Sequence, residues 1–225
     1  MKGIAYGVGV GPGDPEYMTL KAVRLIRENQ VIAVPGKEAR ESTAYQIGVH
    51  AVPELAEKEL VPVNMPMIRD RKLIDAEHRK GAEKLRTYLD QGMNVVFLTL
   101  GDPTVYCTFS YIQHYLEAAG YQVELVSGIP SFCAAAARLG LSLAEWDEPI
   151  HIVPAVHKTD DKLTKDGNYV LMKSASHMKE VKALLKGSGR KVSAVVNCGM
   201  EDEAVYRSAD EIPDDAGYFS LIIAK

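Results

Sequence analysis

Glycine-rich loops that follow apolar segments are the residues of this sequence whose types and spacing point to chemistry. The first loop carries Gly9, Gly11 and Gly13 at alternate positions, directly after the apolar segment at 4–10. Glycine lets another molecule approach the backbone because no Cβ atom is in the way. A loop of this kind between a strand and a helix often forms a ligand-binding edge in α/β proteins. Taken alone, it is equally consistent with a tight turn that binds nothing.

The spacing of the first loop argues against a dinucleotide site. That fingerprint needs G-x-G-x-x-G and an acidic residue about 20 positions later, after the second strand. Here the glycines run G-x-G-x-G, Pro12 removes a backbone N–H, and the apolar segment at 31–34 ends in Pro35-Gly36-Lys37 without a carboxylate. No Gly-Lys-Ser/Thr triplet of a P-loop follows. The loop is therefore not expected to bind pyrophosphate.

Two later loops strengthen the case for a ligand. An apolar segment at 95–100 ends in Gly101-Asp102-Pro103, and another at 121–126 ends in Ser127-Gly128-Ile129-Pro130-Ser131. Asp102 has two possible roles, as the N-cap of a following helix or as part of a ligand-binding loop, and the sequence supports both equally. Three such loops in one chain favour a binding site over three empty turns.

Composition indicates a globular protein of one large or two small domains. The 225 residues are 47% hydrophobic and 25% charged, with a net charge of −4 at pH 7. Apolar runs fall short of the about 18 residues that cross a membrane, and no signal peptide is expected. Cys107, Cys133 and Cys198 are widely spaced and match no metal-ligand pattern, which favours a reduced, cytoplasmic protein without a metal site. The negative charge disfavours nucleic acid as the main partner.

The order of predicted elements indicates two α/β domains. Strands are expected at 4–10, 31–34, 60–63, 95–100 and 121–126, and helices at 20–29, 38–51, 73–91, 104–118 and 132–139. Strands at 150–153, 169–172, 192–196 and 219–224 follow, with a helix at 178–186. Strands that alternate with helices predict a mostly parallel sheet in residues 1–120. The higher proportion of strand in residues 121–225 predicts a mixed sheet.

Together the three loops, GVGVGPGDP, LGDPTVY and SGIPS, resemble those of the tetrapyrrole methylase family, and the resemblance runs over nearly the whole chain. It implies two α/β domains that bind S-adenosylmethionine in a cleft between them. The GVGVG run, the PMIRD segment and FLTLGDPTVYCTFSY are similar to the precorrin-2 C20-methyltransferase branch of cobalamin synthesis. The resemblance therefore implies methyl transfer to carbon 20 of precorrin-2 or cobalt-precorrin-2, with S-adenosylhomocysteine as the other product, and a homodimer.

The same resemblance implies which residues contact the methyl donor. They lie in the three loops and at two later positions along the chain: Pro12, Leu100, Gly101, Asp102, Val105, Pro130, Ser131, Met172, Asn197, Cys198 and Gly199. Many relatives have a second glycine where this chain has Leu100, so any contact from Leu100 must come from its backbone. Methyl transfer from a sulfonium depends mainly on positioning, and backbone carbonyls and apolar walls suffice to hold the donor.

The reaction also requires the removal of a proton from the methylated carbon. Carbon 20 must lose a proton to a base or to water after the transfer. Tyr106 and Tyr218 are the candidate bases, although a structural role is commoner for tyrosine.

Precorrin-2 is a polycarboxylate, so an acidic protein needs a local cationic patch to bind it. Gly11 of the first loop and Arg69 and Arg71 of the segment NMPMIRDRK are predicted to contact the substrate, since guanidinium groups bind carboxylates well. Lys158, Lys162 and Lys165 are the next candidates.

Two alternatives stay open within this fold. One is a methylase that acts at a different ring carbon, and the other is a non-catalytic module that binds S-adenosylmethionine. A diphthamide or RNA methylase of the same fold is a further rival, and the acidic pI of about 5.9 disfavours the RNA version.

Overall fold

The structure, a computed structural model, describes residues 1–66, 68, 70–155 and 163–225. Over these ranges the chain divides into two compact units, Met1–Pro130 and Ser131–Lys225. The predicted boundary near residue 120 lies earlier than this division. The difference arises because the strand Val123–Val126 pairs with the first strand of the chain and so belongs to the first unit.

The first unit is built on one parallel sheet. Its strands are β1 (Ala5–Gly9), β2 (Val31–Pro35), β3 (Glu59–Val63), β4 (Val95–Thr99) and β5 (Val123–Val126). Its α-helices are α1 (Leu20–Glu28), α2 (Thr43–Ala51), α3 (Arg71–Leu89) and α4 (Phe109–Ala118), and short 3-10 helices occupy Pro15–Tyr17, Ala39–Glu41 and Pro53–Glu57. The strand order is β3-β2-β4-β1-β5 and every neighbouring pair is parallel, which confirms the α/β class.

Helices cover both faces of this sheet. Helices α1 and α2 pack on one face in an apolar cluster with Leu98, and α3 and α4 pack on the other face in a cluster with Phe97. Successive strand residues point to opposite faces, so neighbouring residues of β4 pack into the two different apolar clusters. This explains why β4 is buried along its whole length. Because α3 and α4 each follow a parallel strand, both begin at the carboxyl edge of the sheet.

The helix starts show where local sequence decides structure and where it does not. Thr19 caps α1 as its position predicts, since its hydroxyl oxygen accepts a hydrogen bond from Ala22 N at 3.2 Å. The predicted start of α4 at residue 104 is wrong, because α4 begins at Phe109. Tyr106 has a φ of 47°, a left-handed conformation that a right-handed helix cannot include. The segment between the second glycine loop and α4 is therefore an extension of that loop.

The second unit contains a mixed sheet, as predicted. Its elements are α5 (Ser131–Leu139), β6 (Ile150–Pro154), β7 (Asn168–Met172), a 3-10 helix (Ala175–His177), α6 (Met178–Gly187), β8 (Val192–Val196), β9 (Ala204–Tyr206) and β10 (Ser220–Ala224). The strand order is β6-β7-β10-β8-β9, with β6 and β7 parallel and the other pairs antiparallel. The short β9 is missing from the sequence prediction, because three residues carry too little periodicity. Across the described residues of both units, no helix has the length and apolarity to span a membrane.

A buried histidine makes the stability of the first unit depend on pH. His78 of α3 is only 4% exposed, and burial lowers the pKa of its imidazole despite the opposing effect of the Asp75 carboxylate. The unfolded chain then binds a proton more readily than the folded one. The stabilisation is present above the unfolded pKa of about 6.5 and is lost as the pH falls through the lower folded pKa.

We therefore expect the melting temperature to fall between about pH 7.5 and about pH 5.5. The His78→Phe variant should lose less over the same interval, because it keeps a buried ring but cannot be protonated. Thermal denaturation followed by circular dichroism measures both proteins. An equal loss in the two proteins would show that other groups cause the pH dependence.

Candidate functional site

The first two glycine loops join at the carboxyl edge of the first sheet. Strand β1 lies between β4 and β5, so the loops that follow these three strands are neighbours. Gly101 N donates a hydrogen bond to Gly11 O at 2.8 Å, and Gly11 N donates to Gly101 O at 3.3 Å. This isolated antiparallel bridge occupies both backbone polar groups of Gly11. Gly11 also has a φ of 76°, a conformation that favours glycine.

The third loop packs against the other two through backbone atoms. A Cβ atom on Gly128 would lie 2.2 Å from Gly101 O, and one on Gly9 would lie 2.4 Å from the same oxygen. Neither position therefore has room for a side chain. The missing side chains of these two glycines make room for a neighbouring loop. The sequence alone predicts instead that glycines here make room for a ligand. Gly128 was absent from the predicted site residues, although it stands in one of the quoted loops.

Asp102 links the second and third loops. Its Oδ2 accepts a hydrogen bond from Gly128 N at 3.0 Å, and its Oδ1 accepts from Thr104 N at 2.8 Å and from the Thr104 hydroxyl. The side chain is 7% exposed. The N-cap interpretation of Asp102 is therefore wrong, because no helix starts there and its carboxylate binds two loops. Thr104 was also missing from the predicted site residues.

The other predicted donor contacts of the first unit lie around this junction of loops. Pro12 and Gly101 are buried, whereas Val105 and Pro130 are half-buried. Leu100 directs its side chain into the apolar cluster beside α1 and α2. That placement agrees with the expectation that any ligand contact of Leu100 comes from its backbone.

A cysteine fixes the segment that follows the second loop. Thr99 Oγ1 and Cys107 Sγ lie 3.0 Å apart, and Phe109 N donates a hydrogen bond to the same sulfur at 3.3 Å. Burial raises the pKa of the Cys107 thiol, which keeps it protonated at neutral pH. Cys107 therefore connects the end of β4 to the start of α4 and has the properties of a structural cysteine.

The predicted contacts of the second unit lie at element ends. Ser131 begins α5 and Met172 ends β7, both half-buried. The turn after β8 holds Asn197 and Gly199 at φ values of 52° and 76°, with the buried Cys198 between them. The Asn197 amide donates to Asp202 Oδ2 at 2.7 Å, which fixes the first residue of the turn.

Glu203 binds the other end of that turn, and it is absent from the site residues predicted from the sequence. Its carboxylate accepts a hydrogen bond from Gly199 N at 2.8 Å and forms an ion pair with Arg138. Burial acts to raise the pKa of Glu203, but the Gly199 N–H and the Arg138 guanidinium outweigh it and lower that pKa. Glu203 is therefore ionised at neutral pH and fixes the turn in place. The only sequence signal is its position four residues after Gly199.

The two candidate bases are equally exposed, each at 45%. Tyr106 lies in the loop extension before α4. Partial burial raises the pKa of the Tyr218 phenol, so Tyr218 is almost entirely a neutral phenol at neutral pH. Exposure therefore does not favour one candidate over the other.

The predicted substrate segment leads into α3. Asp70 caps this helix by accepting from Lys72 N at 2.9 Å and Leu73 N at 3.2 Å, and Arg71 is exposed at its first position. Asn64, at the other end of the segment, donates to Glu77 Oε2 of α3 at 2.8 Å.

Three of the predicted cations lie outside the described residues: Arg69, Lys158 and Lys162. Lys165 is described and exposed. Within the described ranges, no group of three His, Cys, Asp or Glu side chains is arranged to hold a metal ion.

Comparison with known proteins shows what this chain is similar to. The family model described as Tetrapyrrole (Corrin/Porphyrin) Methylases matches residues 5–212. A probable cobalt-precorrin-2 C(20)-methyltransferase of Methanocaldococcus jannaschii is 34% identical, over 98% of this chain and 95% of the relative. A precorrin-2 C(20)-methyltransferase of a Sinorhizobium species is 30% identical, over 96% and 93% of the two chains.

Solved structures share the fold at lower identity. A cobalt precorrin-4 methyltransferase superposes with a TM-score of 0.76 at 20% identity, over 98% of this chain and 94% of that one. The uroporphyrin-III C-methyl transferase of Thermus thermophilus, in complex with S-adenosylhomocysteine, gives a TM-score of 0.70 at 22% identity, over 99% and 97% of the two chains. These similarities establish the two-domain α/β fold.

Substitution of Asp102 tests whether its hydrogen bonds hold the second and third loops together. The Asp102→Ala variant leaves the buried Gly128 N–H without its acceptor, which costs about 1–3 kcal/mol of unfolding free energy. We expect it also to weaken binding of S-adenosylhomocysteine, the expected ligand of these loops, because the third loop is released. Urea denaturation and titration calorimetry measure the two effects.

Thr104→Val is the matched control, since it removes one hydroxyl bond to the same carboxylate and keeps the bond to Gly128. It should change both quantities less than Asp102→Ala does. Equal effects of the two variants would contradict a role for Asp102 in joining the loops.

Proposed function

This chain belongs to the tetrapyrrole methylase family, and from that premise we propose that it methylates carbon 20 of precorrin-2 or cobalt-precorrin-2 with S-adenosylmethionine. The observation that carries the proposal is the 34% identity, over 98% of the chain, to a relative named as a probable cobalt-precorrin-2 C(20)-methyltransferase. The relative at 30% identity is named for precorrin-2 without cobalt. The proposal therefore covers both forms of the substrate.

The loop junction fits a methyl donor better than it fits a phosphate ligand. The three loops contain no lysine or arginine, and they pack together at Gly9 and Gly128, which leave no room for side chains. When bound, S-adenosylmethionine supplies a methyl group on a positively charged sulfur. Backbone carbonyls suit a cation, and the absence of basic side chains from the loops avoids repulsion.

Within this proposal, the residues of the chain act mainly by positioning. Gly101, Val105 and neighbouring residues of the first unit hold the donor through the loops that Asp102 joins. The family resemblance also assigns donor contacts to Ser131, to Met172 and to the Asn197–Gly199 turn, which Glu203 fixes. Proton removal from carbon 20 falls to Tyr106, to Tyr218 or to water.

Substrate carboxylates are assigned to the start of α3. Arg71 and Lys72 are exposed there, and the positive end of the helix dipole also favours negative charge. Arg69 and Gly11 complete the proposed contacts on the basis of the family resemblance. On the same basis we propose a cytoplasmic homodimer.

A second candidate function is methylation at another ring carbon. A cobalt-precorrin-4 C(11)-methyltransferase of Methanocaldococcus jannaschii is 28% identical over 89% of this chain. The lower identity makes this the weaker candidate. A module that binds the donor without catalysis is the remaining alternative.

An activity assay decides among these functions. The protein is incubated with S-adenosylmethionine and either precorrin-2 or cobalt-precorrin-2, and the product is analysed by mass spectrometry and NMR. We expect a gain of one methyl group, at carbon 20, with at least one of the two substrates.

A methyl group at another carbon would support the second candidate. Binding of S-adenosylhomocysteine without any methylation would indicate the non-catalytic module. NAD serves as the negative control in calorimetry, and heat from NAD without heat from S-adenosylhomocysteine would contradict the proposed donor.

The role of Arg71 is tested by kinetics at two salt concentrations. We expect Arg71→Ala to raise the KM for the tetrapyrrole about three- to tenfold at low salt, and less at high salt, because the contact is exposed and ionic. Alanine preserves the helix start, and affinity for the donor should not change.

Arg27→Ala is the matched control. Arg27 is equally exposed, but it lies in the last turn of α1, at the opposite edge of the sheet. Equal KM values for the wild type and Arg71→Ala at both salt concentrations would remove Arg71 from the substrate site.

A further inference from the structure

The first turn of α4 presents an exposed aromatic ring. Tyr111 is 54% exposed, and it lies in the helix that directly follows the extended second loop. His78 of α3 stacks against it, with ring centroids 4.6 Å apart and planes inclined by 13°. One face of the phenol ring is therefore covered by a buried imidazole, and much of the rest of the ring is open to solvent.

Buried neighbours fix the orientation of this stacked pair, His78 and Tyr111. Phe109 and Ile112, on either side of Tyr111 in α4, are fully buried. Gly81 of α3 allows the close packing of the two helices, because a Cβ atom there would lie 3.0 Å from Ile112 Cδ1. The exposed ring is therefore held in a defined orientation by two packed helices.

The Tyr111 hydroxyl differs from those of neighbouring tyrosines in α3, α4 and the turn that follows. Tyr88 donates to Glu59, Tyr115 donates to Asp75 and Tyr121 donates to Asp90. Within the described part of the chain, no hydrogen bond of the Tyr111 hydroxyl is found. The three bonded tyrosines are held by their hydroxyl groups, whereas Tyr111 contacts His78 through its ring.

Exposed apolar and cationic groups lie at the starts of the two helices that carry the stacked pair. Ile68 and Leu73 flank the start of α3 and Tyr106 precedes α4, and all three are exposed. Both helices begin at the same edge and cover the same face of the sheet. Arg71 and Lys72 are exposed at the start of α3. A ligand that suits this combination has a flat unsaturated centre and carboxylates at its rim.

We propose that Tyr111 stacks against a pyrrole ring of the tetrapyrrole substrate and that His78 is its positioning residue. This inference rests on the proposed function and extends it to the face of the macrocycle. Aromatic rings pair favourably when offset or stacked. The exposed face of Tyr111 meets the macrocycle, and the cations at the start of α3 meet its rim carboxylates.

Substitution of Tyr111 tests the contact. We expect Tyr111→Ala to raise the KM for the tetrapyrrole about three- to tenfold, as the loss of one aromatic pair implies. Tyr111→Phe should stay within about twofold of the wild type, because it keeps the ring face. Tyr115→Ala, one helical turn later, is the matched control and should leave KM unchanged. Affinity for S-adenosylhomocysteine should be the same in all four proteins, which also shows that the variants are folded.

Substitution of His78 tests the positioning role. His78→Ala should raise the KM in the same direction with little change in kcat, and His78→Phe should restore it because a ring again supports Tyr111. A purely structural role would instead change donor affinity together with KM, and His78→Phe would not restore the KM.

Several outcomes would overturn the inference. They are a wild-type KM in Tyr111→Ala, an equal loss in Tyr111→Phe, and a change of oligomeric state in Tyr111→Ala on size-exclusion chromatography, which would place the ring in a subunit interface. If the wild type methylates neither substrate, the proposed function fails by itself. Titration with precorrin-2, followed by its absorbance, then decides the contact, which requires weaker binding by Tyr111→Ala than by the wild type.

Discussion

The hydrogen bonds of the buried Asp102 carboxylate are the interaction on which the rest of the site depends. A buried charge is costly unless several donors surround it, and here Gly128 N, Thr104 N and the Thr104 hydroxyl do so. A carboxylate has two acceptor oxygens, so one side chain can bind its own loop and a neighbouring loop at once. The strand order makes this possible, because β1 lies between β4 and β5.

The contact between the loops has a chemical consequence. Because Gly9 and Gly128 have no space for a Cβ atom, the loops meet through backbone atoms. The three loops contain no lysine or arginine, which suits the binding of a positively charged sulfonium donor. A reaction whose leaving group is already activated needs its reactants held in line more than it needs a strong acid or base.

The two faces of the first sheet have different roles. Helices α1 and α2 complete one apolar cluster, and α3 and α4 complete the other. Arg71 and Tyr111 lie in the first turns of α3 and α4, at the carboxyl edge of the sheet, and His78, about two turns into α3, stacks against Tyr111. In the proposed enzyme, the loops thus hold the donor and the helix starts hold the tetrapyrrole.

The sequence by itself determined the strands other than β9 and the glycine loops, because apolar periodicity and turn residues act over a few neighbouring positions. The three loop motifs together indicated the family. Only the tertiary structure decided which groups these loops contact. Asp102 accepts a hydrogen bond from Gly128, which lies 26 residues later in the sequence. His78 of α3 stacks against Tyr111 of α4. In the tertiary structure α4 begins at Phe109, because the left-handed conformation of Tyr106 interrupts the predicted helix. Local patterns cannot report such contacts, because the partners are brought together only when the sheet assembles.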